Sequence, residues 1–324
     1  MDKIFNKKKY LSDDRIIKVV IDTDPGVDDA ACLIYAFFDE YIDIKLLTTV
    51  VGNICIDKAT RNLMHLLDLY DIDIPVARGA VKAMERESID AKFIHQEEGL
   101  GGYIPPKTCD RVLLKEDAVD ALYRVINEGN GDIIPIVLGP QTNIGYLLKK
   151  YPDVKNKIPK IVFMGGSPFG HPNYPDHISF NISSDPEAFK IVLDSGIPLL
   201  MIPSDVGRRK AHLDEAFVTK LGKMNDSGKL LEKMYSKYWE PGYPDKRVAT
   251  NDSLALFALV YPKMFKTEKV SVTVDLKDAP GKTFVEFDGT GNVEFVTDVN
   301  REAFLNLLVA DLKKLNGIEL KNFD

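Results

Sequence analysis

The chain of 324 residues carries a formal net charge of −7, with 45% hydrophobic and 28% charged residues. This length fits one large α/β domain or two smaller ones, and the composition is ordinary for a soluble globular protein with a sizeable core. The negative charge argues against a general binder of nucleic acids or anionic membranes. No apolar stretch approaches the roughly 18 residues that are needed to span a bilayer.

The amino-terminal residues 1–15 form a polar extension, and its basic run at residues 7–9 is expected to be a solvated tail. Charges stand where a signal peptide needs an apolar core. The cysteines Cys32, Cys55 and Cys109 are far apart, which predicts reduced thiols in a cytoplasmic protein. Cys32 falls inside an apolar helix pattern, so a place in the buried core is expected for it.

The stretch VVIDTDPGVDDAA at residues 19–31 contains four carboxylates within eight residues, directly after an apolar run that predicts a buried strand. The carboxylates are those of Asp22, Asp24, Asp28 and Asp29. Like charges that converge at a strand end repel each other, and a hard divalent cation with oxygen ligands relieves this repulsion. Solvent-facing helix caps are the alternative, but four acids on so tight a turn favour a cation site.

Helix and strand patterns alternate after this stretch. They are predicted in turn at residues 27–38 (helix), 44–51 (strand), about 57–70 (helix) and 74–77 (strand). This β-α-β-α-β order predicts a parallel sheet with right-handed crossovers, in which ligands bind beyond the carboxyl ends of the strands. Asp24 and Asn53 each follow a strand, so both are expected to face one crevice.

The rest of the chain continues the alternation after a long polar loop at residues 80–113. Helices are predicted at residues 118–127, 142–149, 185 onward, 212–239, 253–260 and 301–315, and strands at 133–138, 161–164 and 198–202. Asp252 is expected to cap the helix at 253–260, and alternation beyond Lys269 predicts a small antiparallel ribbon. The sequence therefore predicts a single α/β domain over residues 1–324, Rossmann-like, with a mostly parallel central sheet flanked by helices.

The segment DTDPGVDDA at residues 22–30 resembles the signature of the inosine-uridine-preferring nucleoside hydrolase family, and this motif is highly specific. Further matching motifs lie at residues 48–53, 95–101, 138–143, 164–166 and 180–188. The ordered matches cover roughly residues 16–260. The resemblance implies a nucleoside N-ribohydrolase that cleaves the N-glycosidic bond of a ribonucleoside with the help of Ca²⁺.

Matched residue by residue, the resemblance implies calcium ligation by the side chains of Asp24, Asp29 and Asp252 and by the main-chain carbonyl of Leu138. Asp24 also matches the residue that takes a proton from the attacking water. The positions that match ribose-binding residues or the ribose-facing loop are Asp28, Asn53, Met164, Asn173 and Asn181. Riboside cleavage builds oxocarbenium character at C1′, which carboxylates around the sugar stabilise.

The resemblance also implies a small-molecule nucleoside substrate and a homodimer or homotetramer. No nucleic-acid or membrane partner is expected. The base is left open, because the residues that contact it come from loops that motif spacing does not position. A purine, a pyrimidine or a modified base all fit.

Two positions depart from the family pattern. Asn251 stands where inosine-uridine enzymes have the histidine that protonates the leaving base, and asparagine is no general acid near neutral pH. Ser179 stands where the family has a glutamate that contacts the ribose 5′-hydroxyl. These departures predict either an altered preference at the 5′ side or a base that leaves without the usual acid.

Other side chains are candidates for contacting the base. His95 matches a family histidine near the base pocket, and His171 or His177 on the loop at residues 167–184 are alternatives; each has a solvated loop histidine as its competing interpretation. The aromatic cluster of Tyr235, Tyr238, Trp239 and Tyr243 fits base stacking and core packing about equally well.

Three hypotheses follow. The first is a calcium-dependent ribohydrolase with Asp24, Asn251 and His95 at the reacting centre. The second is a magnesium-dependent phosphohydrolase of the haloacid dehalogenase type, suggested by the Asp22-x-Asp24 pair but disfavoured because Gly26 stands where that motif has threonine or valine. The third is a non-catalytic or weakly active nucleoside-binding homologue, which the departures at Asn251 and Ser179 support.

Overall fold

The computed structural model describes residues 5–109, 111–170, 179–239, 246–321 and 323. The strands are β1 (Ile17–Thr23), β2 (Ile42–Thr49), β3 (Val76–Arg78), β4 (Ile133–Val137), β5 (Ile161–Met164), β6 (Leu199–Ile202), β7 (Leu213–Asp214), β8 (Arg247–Val248), β9 (Phe265–Val274), β10 (Thr283–Glu286) and β11 (Val293–Val299). The helices are α1 (Val27–Phe37), α2 (Ile56–Leu69), α3 (Lys92–His95), α4 (Ala118–Glu128), α5 (Thr142–Lys150), α6 (Phe180–Ser184), α7 (Pro186–Asp194), α8 (Ser204–Lys210), α9 (Glu215–Gly222), α10 (Asp226–Tyr235), α11 (Asn251–Val260) and α12 (Arg301–Lys314). None of the helices in these ranges is both long enough and apolar enough to cross a bilayer.

Nine of the described strands form one sheet in the order β10-β9-β11-β6-β5-β4-β1-β2-β3. The pairs from β3 across to β6 are parallel, whereas β9 runs antiparallel to both β10 and β11. This confirms the predicted mostly parallel sheet with a small antiparallel ribbon. The ribbon is continuous with the main sheet, because β11 pairs in parallel with β6.

The sheet separates two apolar layers, and strand β1 shows how the sequence builds them. Val19 and Ile21 pack into the layer that contains α1, while Val20 packs into the layer that contains α4 and α5. Successive side chains of a strand point to opposite faces, so a run of apolar residues serves both layers. Cys32 is fully buried in the first layer, as predicted.

The long helical pattern predicted at residues 212–239 is wrong as a single helix. Two side chains each begin a new helix by accepting a backbone N–H bond: Asp214 from Phe217 (2.8 Å) and Asn225 from Gly228 (2.9 Å). Caps of this kind satisfy the free N–H groups at a helix start. The result is the pair of helices α9 and α10.

The predicted capping role of Asp252 is also wrong. Helix α11 begins at Asn251, with Thr250 at the cap position, so Asp252 lies inside the first turn. The Thr250 hydroxyl donates to the carbonyl of Ala211 (3.0 Å) and makes no cap bond. The Asp252 carboxylate is buried and is available to the site described below.

The prediction of a solvated basic tail is wrong for Lys7. This residue lies in a short 3₁₀ turn (Lys7–Tyr10), and its side chain is only 8% exposed. Its Nζ lies 3.1 Å from Asp311 and 3.5 Å from Asp39, so the amino-terminal turn is fixed to the domain by a buried ion pair.

Candidate active site

The carboxyl ends of β1 and β2 bring Asp24 and Asn53 together. The backbone N–H of Asn53 donates to Asp24 Oδ2 at 2.6 Å, and its Nδ2 donates to the Asp24 carbonyl at 3.3 Å. Both residues are buried, with Asp24 fully so. The two strand ends therefore meet, as their sequence positions predicted.

Asp29 fixes the turn between β1 and α1. One of its carboxylate oxygens accepts from the Thr23 hydroxyl (2.6 Å) and the Asp24 N–H (3.3 Å). The other accepts from the Gly26 N–H (3.2 Å) and from Asn53 Nδ2 (3.0 Å). A carboxylate at a helix start is favoured by the helix dipole, and here it also ties the turn to the next strand end.

Three carboxylates lie close enough to share a cation. Asp28, Asp29 and Asp252 each offer an oxygen, and these oxygens all lie within 4.8 Å of one another. Asp24 is adjacent, and its Oδ1 is buried with no hydrogen-bond partner among the described residues. No lysine, arginine or histidine of the described chain forms a salt bridge with Asp24, Asp29 or Asp252.

The electrostatics of this group fit a hard cation. Burial raises the pKa of Asp24 well above its usual range, and the neighbouring Asp29 carboxylate raises it further. Burial likewise raises the pKa of Asp252, with Asp28 and Asp29 adding to the effect. The charged forms are costly without a counter-ion, and an all-oxygen ligand set is the kind that Ca²⁺ or Mg²⁺ takes.

A cleft opens beside these carboxylates. Of the residues predicted from the sequence, the cleft is lined by Asp28, Asn53, His95, Leu138, Met164, Asn181, Asn251 and Asp252. Asp24, Asp29 and Ser179 are buried but do not line it, and Asn173 lies outside the described residues.

The carbonyl of Leu138 already has one partner. Asn181 Nδ2 donates to it and also lies 3.3 Å from the carbonyl oxygen of Met164. A carbonyl oxygen has two lone pairs, so this bond leaves one for a cation. The Asn181 amide is held where the Leu138 and Met164 carbonyls meet, at the ends of neighbouring strands.

His95 is held as a neutral ring. Its Nδ1 accepts from the Val27 N–H at the start of α1 (3.0 Å), and its ring centre is 5.0 Å from that of Tyr238. Burial lowers the pKa of His95 to about 3. Because Nδ1 accepts, the ring proton lies on Nε2, which can donate a hydrogen bond but provides no ionised acid near neutral pH.

The two departures from the family pattern have different surroundings. Asn251 lines the cleft, and its buried Oδ1 has no hydrogen-bond partner among the described residues. A Cβ on Gly207 would lie only 2.0 Å from that oxygen, so the amide packs tightly against the glycine. The hydroxyl of Ser179 is also buried without a hydrogen-bond partner in the part of the chain that the structure describes, and it lies near Gly165.

Part of the cleft wall comes from residues that no sequence motif indicated. Ala91 and Ile94 line the cleft, and both belong to the polar loop at residues 80–113. Ile94 lies in the four-residue helix α3 and Ala91 directly precedes it, and a helix this short gives no periodic signal. Phe180 also lines the cleft.

The aromatic cluster divides between the two uses left open. Tyr238 lines the cleft, whereas Tyr235 is fully buried in the core and Trp239 is partly buried against it. Tyr243, His171 and His177 lie outside the described residues.

Comparisons with known proteins agree on one family. The family model for inosine-uridine preferring nucleoside hydrolase matches residues 19–306. A non-specific ribonucleoside hydrolase, RihC, of Salmonella enteritidis is 35% identical over 275 residues, covering 84% of this chain and 89% of its own length. RihC of Salmonella agona is 36% identical over the same coverage.

Solved structures give the same result. A purine-preferring ribonucleoside hydrolase from Gardnerella vaginalis has a TM-score of 0.85 at 29% identity, covering 92% of this chain and 98% of its own. The plant nucleoside hydrolase PpNRh1 has a TM-score of 0.84 at 28% identity, covering 92% of this chain and 99% of its own. The chain therefore belongs to the inosine-uridine preferring nucleoside hydrolase family and is a nucleoside N-ribohydrolase.

Proposed function

We propose that the enzyme hydrolyses the N-glycosidic bond of a ribonucleoside to free base and ribose, and that it depends on Ca²⁺. The observation that carries this proposal is the buried group of Asp24, Asp28, Asp29 and Asp252 beside a cleft lined by amides. Ca²⁺ is preferred over Mg²⁺ because it accepts several carboxylates and carbonyls in flexible geometry, whereas Mg²⁺ keeps more of its water.

The side chains of Asp24, Asp29 and Asp252 and the carbonyl of Leu138 would hold the ion. When bound, Ca²⁺ supplies a template for the attacking water and the ribose diol. Asp24 would accept the proton of that water. The Oδ1 of Asp24 is buried and has no hydrogen-bond partner among the described residues, which leaves it available for that role.

The sugar would be held by Asp28, Asn53, Met164, Asn173 and Asn181. Ser179 does not line the cleft, and its short, neutral side chain would leave room at the ribose 5′ side. Asp28 lines the cleft, and its carboxylate lies within 4.8 Å of those of Asp29 and Asp252. A carboxylate at that place stabilises positive charge that develops on the ribose ring. The amides of Asn53 and Asn181 can hydrogen-bond sugar hydroxyls.

The leaving base would be stabilised by neutral donors. Asn251 and His95 both line the cleft, and both side chains are uncharged near pH 7, so neither is a strong proton donor. Such a site favours bases that leave readily as anions or after protonation by water. The relatives include a non-specific and a purine-preferring enzyme, so the base is best identified by assay.

A weakly active nucleoside-binding protein is the second candidate, because Asn251 lines the cleft and cannot act as a general acid near neutral pH. A phosphohydrolase is less favoured, because its nucleophile would be Asp22. That side chain is 1% exposed, is hydrogen-bonded to Thr48 and Asn143, and does not line the cleft.

We further propose that the protein is a cytoplasmic homo-oligomer. All three cysteines are free thiols, which suits a reducing compartment.

The test is release of free ribose from a broad nucleoside panel, before and after chelation and after adding back Ca²⁺ or Mg²⁺. We expect turnover of at least one nucleoside that is lost on chelation and restored by Ca²⁺. Asp24→Ala should abolish turnover, whereas Asp153→Ala, at an exposed position, should not change it. Restoration by Mg²⁺ alone would overturn calcium dependence, and nucleoside binding without any ribose release would favour the binding protein.

A further inference from the structure

Two glycines pack closely against the carboxylate of Asp24. A Cβ on Gly52, beyond β2, would lie 2.0 Å from Asp24 Oδ2, and a Cβ on Gly139, beyond β4, would lie 2.6 Å from Asp24 Oδ1. Contacts below about 3 Å do not occur for real Cβ atoms, so only glycine fits at either place. The position of Asp24 therefore depends on how far apart these two turns are held.

One buried side chain connects the turns. Asn143, in the first turn of α5, follows the Gly139 turn and is fully buried. Its Nδ2 donates to Asp22 Oδ1 at 2.7 Å and to the carbonyl of Thr49, just before the Gly52 turn, at 3.0 Å. Its Oδ1 accepts from the Ala80 N–H at 2.9 Å. The amide thus ties α5 to residues from β1, the end of β2, and the chain beyond β3.

The amide of Asn143 has no free N–H group and little room to move. Both N–H groups of Nδ2 and one lone pair of Oδ1 are used, which also fixes which atom is nitrogen. A Cβ on Gly79 would lie 2.4 Å from both atoms, so the backbone there packs directly against the amide. An asparagine in such a position restrains the strand ends around it.

The neighbouring Thr142 serves a different part of the chain. It is equally buried, and its hydroxyl donates to Asp185 Oδ2 at 2.8 Å. Asp185 is the cap of α7 and also accepts from the Met84 N–H, so Thr142 supports α7 and the polar loop. The chain thus offers a matched control one residue away.

We propose that Asn143 is a positioning residue for the active site, which holds the two glycine turns at the spacing that places the Asp24 carboxylate for the cation. This inference rests on the proposed function only in its reference to the cation. The hydrogen bonds by which Asn143 connects the strand ends are present in the metal-free chain. Groups that orient metal ligands typically change metal affinity by about 10–100-fold when they are removed.

The test compares Asn143→Ala and the milder Asn143→Ser with Thr142→Val. The first measurement is amide hydrogen exchange in the metal-free protein, read at the Asn53 N–H that donates to Asp24. We expect Asn143→Ala to speed this exchange on the order of tenfold or more, since the variant loses the hydrogen bonds that hold the strand ends beside Asn53. Asn143→Ser, which retains one donor, should fall between Asn143→Ala and the wild type.

The second measurement is Ca²⁺ affinity by titration calorimetry, with thermal unfolding recorded for each variant. Asn143→Ala should weaken Ca²⁺ binding by about 10–100-fold, whereas Thr142→Val should lower the unfolding temperature without changing affinity or Asn53 exchange. Equal effects of the two positions on exchange would overturn the inference. If wild type binds no Ca²⁺, the proposed metal site fails, and the exchange experiment still decides the role of Asn143.

Discussion

The two ends of helix α1 both lie against buried carboxylates, and the electrostatic surroundings of these carboxylates differ. Just past the carboxyl end of α1, Asp39 forms an ion pair with Lys7 (3.5 Å), which also pairs with Asp311 (3.1 Å). At the amino end, Asp29 and the nearby Asp24 and Asp252 have no such partner among the described residues.

The pKa values follow this difference. Burial by itself would lower the pKa of Lys7, but Asp311 and Asp39 together raise it, so the lysine stays charged. At the other end, burial and like charges both raise the pKa of Asp24 and Asp252. A buried carboxylate that is paired with a lysine stabilises the fold. A group of buried carboxylates without such a partner is suited to bind a metal cation.

The largest effect is expected when one carboxylate is removed from the group at the amino end of α1. Asp252→Ala should lower turnover by at least about 10³-fold, because a ligand and its charge are lost together. The metal-free protein should be no less stable than wild type, since one repelling buried carboxylate has gone. Ribose release and urea unfolding measure the two effects. A strong loss of metal-free stability would mean that this end is structural as well.

Removal of the lysine near the carboxyl end of α1 should have the opposite result: the protein should lose stability but keep its turnover. Lys7→Met leaves Asp39 and Asp311 buried without a counter-ion and should cost about 3–5 kcal/mol of unfolding free energy. The turnover of the folded protein should stay within a factor of about two, because the ion pair lies beyond the far end of α1. Lys8→Met, at an exposed neighbouring position, is the control and should leave stability unchanged.

This contrast also shows what the sequence could predict. Asp24 and Asn53 each follow a strand, and parallel strands bring their carboxyl ends to one edge, so their meeting follows from local pattern alone. Lys7 looked like part of a tail because its partners lie 32 and 304 positions away, and no local pattern reveals such pairs.

The same limit applies inside the cleft. His95 was recognisable by its motif, but its bond to Val27 depends on how the polar loop folds back over the start of α1. Ile94 lines the cleft from a helix of four residues, which gives no periodic signal. Tertiary contacts of loops are therefore the part that spacing and periodicity could not predict.

A change of pH should affect the metal-free and metal-bound forms in opposite ways. The folded-state pKa of Asp22 is raised by burial from 3.8 to about 7, so the folded chain binds a proton more tightly than the unfolded chain. The stability that Asp22 contributes is complete below about pH 4 and is lost as the pH rises toward 7. The raised pKa values of Asp24 and Asp252 act in the same direction.

Cation binding requires the charged carboxylates, so its affinity should rise with pH over that window, by up to about tenfold per unit for each proton released. Thermal unfolding with and without Ca²⁺ between pH 4 and about pH 8 checks both trends. The stabilisation by Ca²⁺ should grow with pH. A constant difference would show that the carboxylates are already charged in the metal-free protein.

The smallest expected effect concerns His95, which serves the amino end of α1 as a neutral acceptor. His95→Asn keeps an acceptor that can reach the Val27 N–H, whereas His95→Leu removes it and should cost about 1 kcal/mol, the usual value of such a bond. If the ring contributes only a neutral hydrogen bond, turnover in His95→Asn should fall by less than about tenfold, and its pH profile should keep its shape. Loss of an acidic limb from the profile, or a drop of 10² or more, would instead identify His95 as the acid that Asn251 does not supply. In that case the pKa of His95 must rise when substrate binds, and the bond to Val27 must break, because a protonated ring has no acceptor to offer that N–H.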